Sequence, residues 1–450
     1  MGPSESFPFS FWAKSLEQRD LSIAVIGLGY VGLPTAVAFH NAGFDVKGYD
    51  KSIELIESLK SGKSTILEEN GKKLPSDDKW SVSSNPRDCI KDSDVIIVCV
   101  PTPVNNRMNP DLSRVREALE VIITHRDSER DNCIILESTV HPGSSRKCLE
   151  EALETTGGTS ARLHLAYCPE RISPGETGYG IGDVSRVLGA ESIEIAEAIS
   201  KLYRMITNSS IHVVSSIEVA EASKLVENAQ RDIDLAFINE LSILMPKMGL
   251  DVEEVLAAAS TKWNFHRHTP GMGVGGHCIP IDPHYYIEIA KKYGVPSALS
   301  PAARRLNDSM PVHNVNEVIK LCGGVPTSVL ILGYAYKPNI SDTRETPVGP
   351  FIQHLSEMGV GAISVWDPLV SSAGIKEDVV RVDQLEKLQK YECIVLGTAH
   401  DEILNLNWGE LMTITNANFF YDSRRCLDAE IMSTIGWKFH AIGMPLPEGI

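Results

Sequence analysis

Leu21-Ser22-Ile23-Ala24-Val25-Ile26-Gly27-Leu28-Gly29-Tyr30-Val31-Gly32 is the stretch that decides the fold of this chain. Its first half is short, apolar and β-branched, which predicts a buried strand. Its second half is a glycine-rich turn. Residues 33–39 then continue with a helical pattern that carries Pro34 in the first turn, where a missing N–H does no harm. A strand, a glycine turn and a helix in this order are typical of dinucleotide-binding folds.

The glycine turn predicts a pyrophosphate site at the start of a helix, because glycines allow a tight turn and close approach of the ligand. Residues 44–49 predict the next strand, and Asp50 follows it. A carboxylate there accepts from both ribose hydroxyls and repels a 2′-phosphate, so NAD is favoured over NADP, although the neighbouring Lys51 weakens this preference. A glycine turn without a ligand is the alternative. The predicted cofactor residues here are Gly27, Gly29, Tyr30, Val31, Gly32, Asp50 and Lys51.

Two further apolar runs, 94–100 and 133–136, predict strands that end near hydroxyl-bearing residues. Thr102 follows the first run, and Ser138 and Thr139 follow the second. An open α/β sheet binds its ligands at this edge, so we predict that the three residues contact the cofactor. Ordinary turn chemistry is the alternative. A further strand at 163–167 leads to Cys168-Pro169-Glu170-Arg171.

Apolar residues recur at three- and four-residue steps from Ile217 to about Met245, which predicts one long helix that ends at Pro246 and Gly249. Lys224 and Asn228 lie one turn apart on the same face, where both can reach a ligand oxyanion. A solvated lysine beside a surface amide is the alternative. A long helix between two α/β units also suits a dimer core.

The run from Thr269 to Pro283 predicts a shaped loop, because it contains four glycines between Pro270 and Pro280. Cys278 lies near its end, and Asp282 follows four residues later. A thiol in this setting can be a covalent catalyst if its pKa is lowered or a base takes its proton. A turn that ends in a buried cysteine is the alternative.

Strands predicted at 328–333, 362–368, 393–397 and 419–422 form a second α/β half. The turn after its first strand carries Lys337 and, further on, Arg344, cations that suit phosphate recognition. A surface lysine and an ion-paired arginine are the alternative. The fold class that we predict is α/β, with two Rossmann-like doubly wound parallel-sheet domains joined by a central domain built on the long helix.

The 450 residues carry a net charge of −17, which argues against a nucleic acid or an anionic membrane as the main partner. The nine cysteines are odd in number and contain no CxxC pair, a pattern typical of a reducing compartment. No apolar run is long enough to span a membrane. Residues 1–20 are aromatic (Phe7, Phe9, Phe11 and Trp12) but lack the features of a signal peptide. We therefore predict a cytoplasmic protein with an N-terminal arm packed on its body.

Together these residues resemble the UDP-glucose/GDP-mannose dehydrogenase family. The resemblance covers nearly the whole chain after residue 20. Its motifs are Gly27–Gly32, Glu137-Ser138-Thr139, Pro169-Glu170, the helix with Lys224 and Asn228, Gly275-Gly276-His277-Cys278 with Asp282, and Gly333-Tyr334-Ala335-Tyr336-Lys337 with Asp342-Thr343-Arg344-Glu345. It implies an enzyme that oxidises C6 of a nucleotide sugar from alcohol to carboxylate with two NAD and without release of the aldehyde.

The resemblance also implies a domain organisation. Residues 1–20 are predicted to be the arm, 21–214 the NAD-binding domain, 215–318 a central helical domain that dimerises and carries the cysteine loop, and 319–450 the UDP-sugar-binding domain. Cys278 would add to the aldehyde as a thiolate and give a thiohemiacetal, whose oxidation gives a thioester that water hydrolyses.

Position by position, the resemblance assigns roles to further residues. Lys224 and Asn228 would stabilise oxyanions at C6. Asp282 and Thr139 would position water or transfer protons, and Glu170 would be the base for hydrolysis or a substrate contact. The remaining assignments are Lys337 to the sugar or diphosphate, Arg344 to the NAD side of the cleft, Arg171, Gly273, Gly275 and Gly276 to the substrate, and Arg267 to the substrate of a neighbouring subunit.

Departures from the family pattern narrow the substrate. UDP-glucose dehydrogenases usually carry a second glutamate four residues after that of the Pro-Glu pair, and here this position is Pro174. The proline at this position, and His277 before the cysteine, are similar to the pattern of the branch that acts on UDP-N-acetylhexosamines. Thr261–Phe265 is similar to GlcNAc and GalNAc dehydrogenases of surface-polysaccharide pathways, whereas Gly273–Pro280 also fits ManNAc dehydrogenases. ManNAc enzymes often show an arginine near Asn264, and its absence favours GlcNAc or GalNAc.

Three other interpretations stay open. A two-electron dehydrogenase of the 6-phosphogluconate or 3-hydroxyacid type needs neither the cysteine loop nor a second α/β domain. The residues that would bind a metal are His266, His268, His277, Cys278 and His284, but their spacing matches no known ligand pattern, so we predict no metal. A non-enzymatic nucleotide sensor would keep the fold. The intact set of Lys224, Asn228, Cys278 and Asp282 argues against it.

Overall fold

The computed structural model describes residues 9–68, 73–105, 107–171, 180–385 and 390–446. None of the helices in these ranges is both long enough and apolar enough to cross a lipid bilayer. The chain divides into two compact units. The first contains the residues up to Glu227 together with His284–Tyr293, and the second contains Asn228–Pro283 and the residues from Gly294 onward.

The first unit is built on an eight-stranded sheet in the order β3-β2-β1-β4-β5-β6-β7-β8. Its strands are β1 Ser22–Ile26, β2 Asp45–Tyr49, β3 Trp80–Ser83, β4 Val95–Val98, β5 Asn132–Leu136, β6 Leu163–Tyr167, β7 Arg186–Ala190 and β8 Ile211–Val213. The strand order reverses between β1 and β4, and this is the point where Rossmann folds bind dinucleotides. The pair of β6 and β7 is antiparallel, unlike the parallel pairs around it, and this local departure from the predicted parallel sheet had no sequence signal.

Helices cover this sheet. They are α1 Phe9–Gln18, α2 Gly32–Asn41, α3 Ile53–Lys60, α4 Thr65–Glu68, α5 Pro86–Ile90, α6 Ser113–His125, α7 Ser144–Thr156 and α8 Ile193–Tyr203. Trp12 and Leu16 of α1 are buried in the same apolar core as the central strands. The part of the N-terminal arm that the structure describes therefore packs on the first unit, whereas Phe7 lies outside the described residues.

Four further helices are α9 Ile217–Lys247, α10 Val252–Ala259, α11 Asp282–Lys292 and α12 Leu299–Cys322. The prediction of one long helix from Ile217 is confirmed. Its predicted end is slightly wrong, since Pro246 lies inside the last turn, where the loss of one backbone hydrogen bond is tolerated. Gly249 follows with a left-handed φ of 72°.

The second unit contains a parallel six-stranded sheet in the order β11-β10-β9-β12-β13-β14. Its strands are β9 Ser328–Leu332, β10 Ala362–Trp366, β11 Val380–Arg381, β12 Cys393–Leu396, β13 Phe419–Asp422 and β14 Lys438–Ala441. Its helices are α13 Val348–Glu357, α14 Asp401–Leu404, α15 Trp408–Thr415 and α16 Ala429–Ile435. The predicted α/β class is confirmed, with two separate Rossmann-like sheets. The domain boundaries taken from the sequence stay predictions.

Candidate active site

The glycines of the first turn have different roles. Gly27 has a φ of 90°, and a Cβ placed on it would lie 2.9 Å from the carbonyl oxygen of Cys99. A Cβ on Gly32 would lie 1.8 Å from the carbonyl oxygen of Gly27. By contrast, a Cβ on Gly29 would have no heavy atom of the described chain within 4 Å. Gly27 and Gly32 therefore form the turn itself, whereas Gly29 leaves open space in front of α2, where a pyrophosphate fits.

Asp50 is fixed beside this turn. Its Oδ2 accepts the N–H of Leu28 at 2.9 Å, and its Oδ1 accepts the N–H of Ser52 at 2.9 Å. Tyr30 and Val31 lie between the open glycine and the first turn of α2. Lys51 points to the surface, 3.6 Å from Glu117. An open glycine, a helix amino terminus and a fixed carboxylate together fit the adenosine diphosphate half of NAD.

Two of the three hydroxyl-bearing residues at the strand ends make hydrogen bonds within the first unit. Ser138 donates its hydroxyl to the carbonyl oxygen of Val100 at 2.7 Å. Tyr285, on α11, donates its hydroxyl to the carbonyl oxygen of Thr102 at 3.0 Å. Thr139 is half-buried directly after Ser138. Contacts of these three residues with the cofactor stay predictions.

A buried charge cluster behind this edge was not predicted from the sequence. Glu137 accepts a hydrogen bond from Arg186 at 3.0 Å and another from the hydroxyl of Tyr203 at 2.6 Å. Burial alone would lower the pKa of Arg186, but the Glu137 carboxylate raises it above the ordinary value. Glu137 belongs to the Glu137-Ser138-Thr139 motif, whereas Arg186 and Tyr203 lie in segments without a motif.

Lys224 and Glu170 meet inside the first unit. The Lys224 amine donates to the backbone carbonyl of Glu170 at 2.6 Å, and both side chains are buried. Burial raises the pKa of Glu170 to about 7, against the opposing effect of the Lys224 and Arg186 charges. A carboxyl group with this pKa can take or give a proton near neutral pH.

Arg171 is held by neighbours in the first unit. Its guanidinium makes two hydrogen bonds to Glu227, at 3.0 and 2.7 Å, and a third to the carbonyl oxygen of Ser185 at 3.0 Å. Its predicted substrate contact would have to coexist with these bonds or replace them. Pro174, on which the choice of branch rests, lies outside the described residues.

The glycines of the cysteine loop pack closely against other residues of the second unit. A Cβ on Gly275 would lie 2.7 Å from the Tyr336 Cβ, and one on Gly276 would lie 2.7 Å from the Tyr336 ring. The N–H of Gly276 donates to the carbonyl oxygen of Arg344 at 3.0 Å. Gly273 has a left-handed φ of 142°. The need for glycine at these positions is thus explained within the chain, and their contact with substrate stays a prediction.

Cys278 has an exposed thiol directly ahead of α11. Its carbonyl oxygen accepts the N–H of Asp282 at 2.8 Å, so the cysteine lies one turn before the helix. A helix amino terminus stabilises a thiolate. The buried Asp282 carboxylate accepts a hydrogen bond from Asn228 on α9, which joins the cysteine turn to the long helix.

The predicted cations of the second unit are mostly ion-paired. Arg344 binds both oxygens of Asp342, with contacts of 2.6 and 3.0 Å. Arg267 pairs with Glu253. Lys337 is half-buried in the turn after β9. Within the described ranges, no three His, Cys, Asp or Glu side chains are grouped to hold a metal ion.

Arg424 is a candidate ligand-binding residue that the sequence did not single out. Its Nε donates to the carbonyl oxygen of Gly397 at 2.5 Å, and its Nη1 lies 3.6 Å from the Cβ position of Gly271 at the start of the cysteine loop. Its Nη2 is buried and has no acceptor among the described residues. Burial lowers the pKa of Arg424. A buried guanidinium with an unused donor beside a loop is suited to an anionic ligand. The available signal was an arginine two residues after the end of β13.

A Rossmann-type dinucleotide site and an exposed cysteine on a glycine loop define a class of nucleotide-dependent dehydrogenases. The chain belongs to the UDP-glucose/GDP-mannose dehydrogenase family. Residues 21–207 match the NAD binding domain of that family, residues 218–309 its central domain and residues 330–429 its UDP binding domain. These matches confirm the family resemblance and NAD as the cofactor.

Two curated relatives span almost the whole chain. The UDP-N-acetyl-D-glucosamine 6-dehydrogenase of Pseudomonas aeruginosa is 36% identical over 421 residues, which cover 92% of this chain and 98% of that protein. The UDP-N-acetyl-D-mannosamine dehydrogenase of Pyrococcus horikoshii is 33% identical over 436 residues, with 94% and 99% covered. A solved structure of a UDP-D-ManNAc dehydrogenase from Pyrococcus horikoshii has a TM-score of 0.81 at 31% identity and covers 94% of this chain and 99% of its own.

Proposed function

We propose that this chain catalyses the NAD-dependent, four-electron oxidation of C6 of a UDP-N-acetylhexosamine to the uronic acid, with Cys278 as the covalent nucleophile. The observation that carries the proposal is the exposed thiol one turn ahead of α11, next to a buried Asp282 that Asn228 holds. Relatives whose names specify UDP-N-acetylhexosamine dehydrogenases support the substrate class. The similarity of Thr261–Phe265 to dehydrogenases of surface-polysaccharide pathways extends the proposal to the synthesis of a polysaccharide precursor.

The thiol accounts for the second oxidation. NAD, when bound, supplies the acceptor for the hydride that leaves C6 in each of the two oxidations. After the first oxidation, the Cys278 thiolate adds to the aldehyde carbon, and the carbonyl oxygen takes a proton to give a thiohemiacetal. Loss of that proton and of the second hydride leaves a thioester. Water then adds, the C–S bond breaks, and the carboxylate and the free thiol are released.

The buried polar groups have separate roles in this scheme. Lys224 donates to the Glu170 carbonyl and, as an ammonium group, stabilises an oxyanion at C6. Asn228 donates to the same oxyanion. Glu170 has a pKa of about 7, which suits the base that takes a proton from the hydrolytic water. Asp282 and Thr139 orient that water.

Binding of the UDP part is assigned to the second unit. Arg424 has a buried Nη2 with no acceptor in the described chain, beside Gly271 of the cysteine loop. A diphosphate oxygen supplies the acceptor that this donor lacks. Lys337, in the turn after β9, adds a second cation to the same ligand. Arg267 would need to exchange Glu253 to contact the UDP or the sugar, and Arg344 would need to exchange Asp342 for its predicted contact on the NAD side of the cleft.

The favoured sugar is GlcNAc or GalNAc, and ManNAc is the alternative. The stretch Thr261–Phe265 and the absence of an arginine near Asn264 support the first choice. Trp263 is 91% exposed within this stretch, so the segment is free to make new contacts in a larger assembly or with a ligand.

We further propose a homodimer that works in the cytoplasm. Val226, Phe237 and Leu244 of α9 are exposed, and their spacing places them on one face of the helix. A second copy of this helix would cover that apolar face. None of the nine cysteines, all of which lie in the described ranges, forms a disulfide, and this suits a reducing compartment.

The test is the number of NADH formed per sugar consumed, with limiting UDP-GlcNAc, UDP-GalNAc, UDP-ManNAc and UDP-glucose in separate assays. We expect two NADH per sugar with one N-acetyl substrate and loss of steady turnover in Cys278→Ser. Cys426→Ser is the matched control, because Cys426 is the other cysteine whose residue as a whole is exposed. Desolvation of its thiol, with the nearby Asp422 carboxylate, raises the pKa of that thiol to about 12. One NADH per sugar, or full activity of Cys278→Ser, would support the two-electron dehydrogenase instead. No turnover with any sugar would favour the sensor.

A further inference from the structure

Glu221 is a buried carboxylate outside the groups that the reaction uses. It lies on the first turns of α9, and its side chain is fully buried. One oxygen accepts the N–H of Gly143 at 2.6 Å. The other accepts both the N–H of Ser145 at 2.9 Å and the hydroxyl of Ser145 at 2.6 Å. Three donors converge on this one carboxylate, and all of them come from the start of α7.

This contact replaces a cap that α7 lacks. The residue at the cap position is Gly143, which has a left-handed φ of 86° and no side chain to accept the first free N–H groups. Glu221 supplies the missing acceptor and also places a negative charge at the positive end of the helix dipole. Burial raises the pKa of Glu221, against the lowering effect of Ser145 and Gly143. A carboxylate buried at such a cost of desolvation needs all of its donors.

The same turn of α9 carries Lys224. It lies three residues after Glu221, so the two side chains leave the helix on the same face. Glu221 binds the start of α7, and Lys224 binds the backbone carbonyl of Glu170 at 2.6 Å. Because the helix between them is rigid, the first contact fixes the rotation and height of the second. Gly143 also ends the segment that begins with Thr139. The contact between Glu221 and Gly143 therefore fixes both this segment and the turn of α9 that carries Lys224.

We propose that Glu221 is a positioning residue, which clamps α9 to the amino terminus of α7 and thereby holds the Lys224 amine at the place where it acts on C6. This inference rests on the proposed function, because Lys224 has a catalytic role only there. The clamp itself does not depend on the substrate. It can therefore be measured without turnover.

Glu218 provides a matched control. It lies one turn before Glu221 on α9 and also contacts α7, through the Nε of Arg146 at 2.8 Å. Both partners of this ion pair are more than a third exposed. An exposed pair contributes little to stability, whereas a buried carboxylate with three donors contributes much more. Glu218→Gln thus removes the same charge from the same helix without opening the clamp.

The experiment compares Glu221→Gln, Ser145→Ala and Glu218→Gln with wild type in steady-state kinetics, with active sites counted by NAD binding. We expect kcat to fall by about tenfold or more in Glu221→Gln and by a smaller factor in Ser145→Ala, with KM for the sugar and the affinity for NAD within about twofold of wild type. Glu218→Gln should keep the wild-type kcat. A kcat within about twofold of wild type in Glu221→Gln, or an equal loss in Glu218→Gln, would overturn the proposal.

A second readout separates this proposal from the proposed function. Amine acylation followed by mass spectrometry reports how accessible the buried Lys224 is, with the exposed Lys247 at the end of the same helix as an internal standard. We expect acylation of Lys224 to become about tenfold faster in Glu221→Gln and to stay unchanged in Glu218→Gln. If wild type turns over no sugar but this difference is seen, the proposed function fails and the clamp stands. If Lys224 is acylated as fast in wild type as in Glu221→Gln, the clamp is refuted. Ser145→Ala keeps the carboxylate, so it gives the answer if Glu221→Gln does not fold.

Discussion

Asp367 directly follows β10 in the second sheet as Asp50 directly follows β2 in the first, and both carboxylates accept N–H groups of the turn after the first strand of their own sheet. Asp50 accepts from Leu28 at 2.9 Å, and Asp367 accepts from Tyr334 at 2.6 Å. The difference lies in what else each carboxylate binds. Asp367 also accepts from Ala335 at 3.0 Å and from His400 at 3.1 Å, and it is buried. The Asp367 carboxylate therefore stabilises the fold, whereas the Asp50 carboxylate is half-exposed and can bind a ribose.

This difference predicts opposite effects of one substitution at the two positions. Asp50→Asn should weaken NAD binding by about tenfold, because the amide loses the charge-assisted bonds to the ribose, and should cost little stability. Asp367→Asn should leave NAD binding unchanged and lower the free energy of unfolding by about 2 kcal/mol, because a buried hydrogen-bond network is broken. Calorimetric NAD titration and urea unfolding of both variants measure the two effects. Equal effects on NAD binding at both positions would contradict this assignment.

The same network predicts a loss of stability in acid. Burial alone would raise the pKa of Asp367, but hydrogen bonds from His400, Tyr334 and Ala335 lower it to about 2, from 3.8. Because the pKa in the folded state is below the unfolded value, the stabilisation is present above pH 4 and is lost as the pH falls towards 2. The difference in unfolding free energy between wild type and Asp367→Asn should shrink by about 1 kcal/mol from pH 6 to pH 3. A difference that stays constant in urea titrations over this range would show that the carboxylate is not selectively stabilised.

The glycine turn predicts different outcomes for two alanine substitutions. Gly29→Ala should fold normally, because nothing in the described chain lies within 4 Å of the added carbon, and it should lose NAD affinity because that carbon fills the pyrophosphate space. Gly32→Ala should fail at the level of folding, since its Cβ would lie 1.8 Å from the carbonyl oxygen of Gly27. Circular dichroism melts and NAD titration distinguish the two. Normal NAD binding by Gly29→Ala would mean that the cofactor does not approach this glycine.

The sequence predicted most of the fold because its signals are local. Short apolar runs such as 22–26 and 328–332 are strands buried on both faces of a sheet, and glycine turns follow them. The short edge strand β8 Ile211–Val213 was missed because it is only partly buried and has no strong pattern. The antiparallel pairing of β7 is set by tertiary contacts, which local patterns do not contain.

The candidate site was predictable only where a motif carried it. The residue types and spacing predicted roles for Cys278, Asp282, Lys224 and Asn228, and these roles stay predictions. The structure adds the bonds that join Asn228 to Asp282 and Lys224 to Glu170. Arg186, Glu221 and Arg424 were missed. Their importance lies in burial and in partners far away along the chain, and neither property is visible in a local pattern.

Arg424 offers a test of the UDP site. Arg424→Gln should weaken binding of UDP by about tenfold or more, because the buried guanidinium loses its charge-assisted bond to a diphosphate oxygen. Arg381→Gln is the matched control, since Arg381 is an arginine of the same unit that also donates to a backbone carbonyl oxygen, that of Ile375, at 2.7 Å. Calorimetric titration with UDP, in the absence of sugar and NAD, gives both affinities. If both variants bind UDP as wild type does, the unused donor of Arg424 serves some other purpose.

The raised pKa of Glu170 predicts the pH dependence of the hydrolytic step. Burial raises this pKa to about 7, and a general base acts only when it is deprotonated. The rate of thioester hydrolysis should therefore rise about tenfold between pH 6 and pH 8 and then level off, with a midpoint near 7. Glu170→Gln cannot take the proton, so a covalent adduct on Cys278 should accumulate and be visible as an added mass on the intact protein. Single-turnover experiments followed by rapid acid quench measure the rate at each pH. A hydrolysis rate that does not vary with pH from 6 to 8, or a Glu170→Gln variant that releases product at the wild-type rate, would remove Glu170 from the role of base and leave Asp282 as the carboxylate to examine.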